Sequence, residues 1–149
     1  MFHDSFRALA LIVAVGSMAA LPARAASQLE PGLWQDTETG WDNGKPTRPE
    51  GNTTCLSPDE ARDPIRTILK DTEGQKCDVR NVKENGSTVT VELKCGDPKE
   101  MRMEIDMTIN FISTRHYSGT MKSLVIYRGQ KSVSQATIDS VWTATACKE

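Results

Sequence analysis

Few side chains in this 149-residue chain have the type and spacing to do chemistry. Its four cysteines, Cys55, Cys77, Cys95 and Cys147, are separated by 21, 17 and 51 residues and form no C-x-x-C pair. That spacing argues against a thioredoxin-like dithiol and a zinc knuckle, and for two structural disulfides with three possible connectivities. Met101, Met103 and Met107, with Met121, form a thioether set of the kind that suits Cu(I). The first three share a strand face with Ile105, Ile109 and Phe111, where flexible methionine more often fills a core. His116 and His3 are the two histidines. A multi-histidine metal site is therefore not expected, and no G-x-S-x-G elbow accompanies His116. Glu104 and Asp106 are a carboxylate pair about 7 Å apart along a strand, read as a solvated face. Trp41 sits in a polar stretch where nothing apolar surrounds it. The candidate ligand-facing residues are thus Trp41, Met101, Met103 and Met107; no catalytic residue, metal or cofactor is expected.

The chemistry depends on the compartment, and the first residues speak to it. Arg7, the apolar run Ala8 to Leu21 and the small-x-small triplet Ala23-Arg24-Ala25 have the form of a cleavable export signal. Residues 1–25 are read as a signal peptide and 26–149 as one disulfide-stabilised domain. Cleavage removes Arg7, Arg24 and Asp4 and leaves 124 residues with 16 basic and 19 acidic side chains. So mild a charge, without a basic stripe, argues against nucleic acid and anionic membrane as partners. No later segment approaches the roughly 20 apolar residues of a membrane span, so no stable span is expected after cleavage. The expected location is the periplasm.

The remaining patterns describe a sheet. Leu33 to Thr39 reads as a strand behind Pro31-Gly32. Residues 40–52 are rich in Gly, Pro, Asn and charge, and read as a solvated loop or irregular edge carrying Trp41. Ser57-Pro58-Asp59-Glu60 has the form of a capping box with Pro at N1. Pro64 then forces a kink or a second start with Asp63 as cap. Ile65, Ile68 and Leu69 supply one apolar stripe, so a short helix is expected over 58–70. Met101 to Phe111 alternates strictly and reads as a central strand buried on one side. Tyr117, Gly119 and Met121, then Leu124 to Tyr127, and finally Val133 to Cys147 supply the rest. The expected fold is mainly β (α+β): a curved antiparallel meander or partial barrel of six to seven strands with the helix packed on it.

One hairpin carries a disulfide argument. Asn85-Gly86 signals a two-residue turn that sets Val82 opposite Val89, while Val79 and Cys77 fall one residue out of phase. One inserted residue near Arg80-Asn81 restores the phase and sets Val79 opposite Leu93 and Cys77 opposite Cys95. Cys77–Cys95 is then the hairpin disulfide, and Cys55–Cys147 the remaining pair.

Pro31-Gly32-Leu33-Trp34, Cys55-Leu56-Ser57-Pro58-Asp59-Glu60, Tyr117-x-Gly119 and Cys147 together resemble the bacterial DUF3617 family of small exported proteins. That family has a PGLWE-like entry and a C-L-T-P-E-like helix start; here Gln35 stands in place of its Glu and Ser57 in place of its Thr. The resemblance implies a periplasmic protein and no particular activity. The reading that follows is a non-enzymatic binding or structural module whose partner is a protein or a small hydrophobic ligand. The alternatives are a lipocalin-like carrier with the Met/Ile/Phe face lining a cavity, a hydrolase using His116, and a Cu(I)-handling protein.

Overall fold

A computed structural model describes residues 28–73, 76–97 and 100–147; the export signal assigned to residues 1–25 lies outside the described residues. Eight strands form one open antiparallel sheet: β1 (Gly32–Asp42), β2 (Lys45–Pro46), β3 (Glu50–Leu56), β4 (Cys77–Asn85), β5 (Thr88–Asp97), β6 (Met101–Ser113), β7 (His116–Tyr127) and β8 (Gln130–Ala144). The order is β2-β1-β8-β7-β6-β5-β4, with β3 also pairing β1. The β1–β8 pairing joins strands distant in sequence, and β4 forms one edge of the sheet while β2 and β3 form the other. The sheet does not become a barrel.

Two strands lie in the stretch expected to be loop. β1 continues through Trp41 to Asp42, and Asn43 and Gly44, at φ of 49° and 79°, turn the chain back into β2. That is a primed two-residue turn, which Asn-Gly serves because both central residues need positive φ. The irregular edge is the correct alternative there, and it raises the strand count from six or seven to eight.

The helical segment is two helices, α1 (Pro58–Arg62) and α2 (Pro64–Glu73), in place of one over 58–70. Ser57 and Glu60 complete the capping box of α1: the Ser57 amide donates to Glu60 Oε2 at 2.8 Å, and the Glu60 amide to Ser57 Oγ at 3.3 Å. Asp63 ends α1 and caps α2, accepting from the Arg66 amide at 3.1 Å. Pro64 causes the break, because it drives Asp63 out of helical geometry and then starts the next helix with no N–H to satisfy.

Strict alternation sorts the side chains into a core face and an outer face. Trp34, Val89, Val91, Leu93, Cys95, Ile109 and Phe111 are buried on the core face beneath Ala61 and Ile65 of the helices and Leu29 of the entry segment. Further along the same face Met103, Ile105, Met107 and Met121 are only half-buried. Val133 and Val141 point outward from β8 and are exposed.

The β4–β5 hairpin corrects one detail of the sequence reading. Cys77 pairs with Cys95 and Val79 with Leu93, and the register shifts between Val79 and Asn81 with Arg80 as the extra residue. Beyond the bulge, however, Val82 faces Val91 and Glu84 faces Val89. The turn residues are Gly86 and Ser87, with Gly86 at φ 61° and Asn85 still in the strand. A turn with Gly at its first central position needs only that residue at positive φ, so Gly-Ser is used and Asn85 keeps extended backbone. The register differs from the expected one by two residues, which leaves every side chain on its expected face. Cys77–Cys95 and Cys55–Cys147 are the two disulfides, and the second ties edge strand β3 to the segment after β8.

Candidate ligand-binding groove

One row of side chains crosses the core face where the helices end. Register aligns Tyr117 of β7 with Ser140 of β8, Ser140 with Asp36 of β1, and Asp36 with Asn52 of β3. Trp34 and Phe111 pack around the Tyr117 ring, with centroids 5.5 and 6.3 Å away. Ser140 is fully buried and donates to Asp36 Oδ1, while Thr54 Oγ1 donates to Asp36 Oδ2 at 2.6 Å. Burial pushes the Tyr117 phenol above its ordinary range; the Ser140 hydrogen bond works against that shift and the Asp36 charge adds to it. A buried hydroxyl held between a phenol and a carboxylate has its hydrogen bonds met and no path to a substrate, so Ser140 is a support for Tyr117 and Asp36.

Beside this row lies a groove of ≈ 370 Å³, open to solvent, lined by Asp36, Glu38, Glu50, Gly51, Asn52, Tyr117 and Ile138. Its floor is Tyr117 and Ile138 and its walls are carboxylates from β1 and β3. Tyr117 also borders a crevice of ≈ 50 Å³ under α2, lined by Leu29, Leu56, Pro64, Thr67, Ile68, Ile109 and Phe111. That crevice holds less than two waters' share of liquid volume, so the interior under the helix is packed. A closed lipocalin-like cavity is absent under the helices among the described residues, and the groove is one of several solvent-open hollows, others bordering Trp41 and α2.

The residues singled out in the sequence are spread over both faces. Trp41 is 45% exposed on the outer face, where it borders a shallow hollow with Asn43, Gly44, Val133 and Gln135. Met101, Met103 and Met107 are on the core face, so Trp41 and the methionines do not share a site. Met101 is exposed opposite Tyr127, and Met103 and Met107 pack against the core. From Met101 to Met107 the strand extends about 20 Å, too far for three thioethers to converge on one ion. Only Met107 and Met121 stand directly opposite one another. His116 Nε2 lies 2.8 Å from Asp139 Oδ1 on the outer face, away from the groove. Glu104 holds Arg102 and Lys94 at 3.5 and 3.7 Å, a salt-bridged surface.

The groove residues were within reach of the same alternation that gave the core. Trp34, Asp36 and Glu38 follow one another on one face of β1, which puts two carboxylates in line with a buried indole. That signal carries weight only when β3 brings Glu50 and Asn52 alongside. The Gln35 amide donates to the Asn52 carbonyl at 2.9 Å, a bond that a carboxylate cannot make.

Fold and site together define a small disulfide-fastened β domain with an open groove on its half-covered face. Residues 29–147 match the model of DUF3617, a protein family of unknown function, and the chain belongs to that family. Comparisons with curated proteins and with solved structures gave no match.

Proposed function

We propose that this chain is an exported, non-enzymatic binding module that holds a small amphipathic ligand in the groove between Tyr117, Ile138 and the carboxylates of β1 and β3. The observation that carries this reading is that α1 and α2 cover only one end of the core face. Beyond them the same face carries a solvent-open groove of ≈ 370 Å³ and, further along the strands, the half-buried side chains Met103, Ile105, Met107 and Met121. Tyr117 and Ile138 give the groove an apolar floor within a mostly polar rim of Asp36, Glu38, Glu50 and Asn52, which suits an amphipathic ligand better than a wholly apolar one.

Export and periplasmic location rest on the leader pattern, with cleavage after Ala25 and a domain over 26–149. Two disulfides fit an oxidising compartment. No helix among the described residues is long and apolar enough to cross a membrane. A mature N-terminus at Ala26 in protein recovered from the periplasm tests this part.

The ligand reading is tested in two steps. Native mass spectrometry of protein purified from its own periplasm is expected to show a retained small molecule. Nile red fluorescence is then expected to rise on titration with wild type and to fall back with Ile138→Glu, which puts a charge in the groove floor. The same signal from both proteins would refute the site. The His116–Asp139 pair lies on the opposite face, so His116→Ala is expected to leave dye binding unchanged.

A further inference from the structure

We infer that the free edge of β4 is a self-complementary surface through which two copies of this chain join their sheets. Hydrogen-bond alternation decides which main-chain groups of β4 are left facing outward. Asn85 and Thr88 flank a two-residue turn and form a bonded pair, so the main-chain N–H and C=O groups of Glu84 and Val82 point away from β5. From the other end of the hairpin, the Gly96 amide donates to the Lys76 carbonyl at 3.2 Å. Counting inward from that bond, the main-chain groups of Val79 also point away from β5. Between them the Arg80 bulge reverses the phase once, so that Val79 and Val82 share both the core face and the free edge.

That reversal makes the strand read the same in both directions. Laid antiparallel about a two-fold axis between Arg80 and Asn81, Val79 of one copy meets Val82 of the other, twice, through four main-chain hydrogen bonds. Asp78 meets Lys83, also twice, on the outer face. Glu84 meets Cys77, at the end of the hollow between α2 and β4 that Lys70 lines. Without the bulge the two valines would lie on opposite faces and the pairing would fail.

Exposure supports the same partner. Val79 and Val82 are 46% and 39% exposed, an unusual amount of β-branched surface on a free edge. An isologous pairing closes after two copies and leaves β3 outside it. The contact is small, so the dimer is expected to be weak and concentration-dependent. This inference is independent of the groove and of its ligand.

Sedimentation velocity from about 5 to about 500 µM, a span suited to so small an interface, is expected to show wild type moving from monomer to dimer. Lys83→Asp alone and Asp78→Lys alone are each expected to stay monomeric, because each puts like charges opposite one another twice. An equimolar mixture of the two variants restores both opposite-charge pairs and is expected to dimerise at least as well as wild type. Val82→Pro removes an outward N–H and no β4–β5 bond, and is expected to be monomeric with an unchanged far-UV spectrum. Wild type that stays monomeric throughout overturns the inference. So does a dimer that survives Lys83→Asp, or a mixture that does not recover association.

Discussion

Ser57 and Tyr117 show how single side chains tie this fold to pH. Two bonds from Ser57, first from its side chain and then from its amide, hold the Glu60 carboxyl below its ordinary value. Its lowered pKa means that this stabilisation is present above the ordinary value and is lost as pH falls through the shifted one. Ser57→Ala is therefore expected to cost about 1 kcal/mol at pH 7 and distinctly less at pH 3, as read by urea midpoints at the two pH values. Tyr117 runs the other way. Its raised pKa stabilises the fold below the ordinary phenol value, and that contribution is lost as pH rises through the shifted one. Tyr117→Phe removes the hydrogen bond with Ser140 and is expected to cost about 1 kcal/mol at pH 7. Because phenylalanine cannot ionise, the gap between the two proteins is expected to narrow above pH 11, in alkaline melting curves.

At the scale of elements, the hairpin shows what a local signal can and cannot specify. Asn85-Gly86 is a strong turn dipeptide, yet the chain turns on Gly86-Ser87, while the other Asn-Gly, Asn43-Gly44, adopts the doubly positive turn. The flanking valines are in phase with either frame at 85–87, so alternation could not choose between them. A substitution pair separates the two frames. Gly86→Ala is expected to cost about 1 kcal/mol for its positive φ. Asn85→Thr, in extended backbone, is expected to stay within about 0.5 kcal/mol of wild type. Equal losses in thermal melts would restore the Asn-Gly turn. The caps at Ser57 and Asp63 were readable, because capping and proline geometry are set within four residues, but the choice between one kinked helix over 58–70 and two helices was not.

The whole molecule is held by what connects distant strands. Cys55–Cys147 spans 92 positions of sequence and Cys77–Cys95 spans 18. In the chain-entropy model these restrict the unfolded chain by about 4.5 and about 3 kcal/mol. The double variant Cys55→Ser/Cys147→Ser is therefore expected to melt at a lower temperature than Cys77→Ser/Cys95→Ser. Equal melting temperatures would mean that strain or residual structure outweighs loop length. The long bridge fastens β3, whose partner in the sheet is β1, so its loss is also expected to loosen the Glu50 and Asn52 wall of the groove.

From residue order alone came the family resemblance, the antiparallel alternation, the core face, the capped helix starts and the pairing of Cys77 with Cys95. Each depends on neighbours a few positions apart or on a period of two. The open edge, the separation of Trp41 from the methionines and the groove itself were decided by tertiary structure. Asp36, Glu50, Tyr117 and Ile138 belong to four strands, and only the closing of β8 onto β1 sets them side by side. A periodic pattern tells a side chain which face it takes; which strands become neighbours depends on packing and on loop closure across the whole chain.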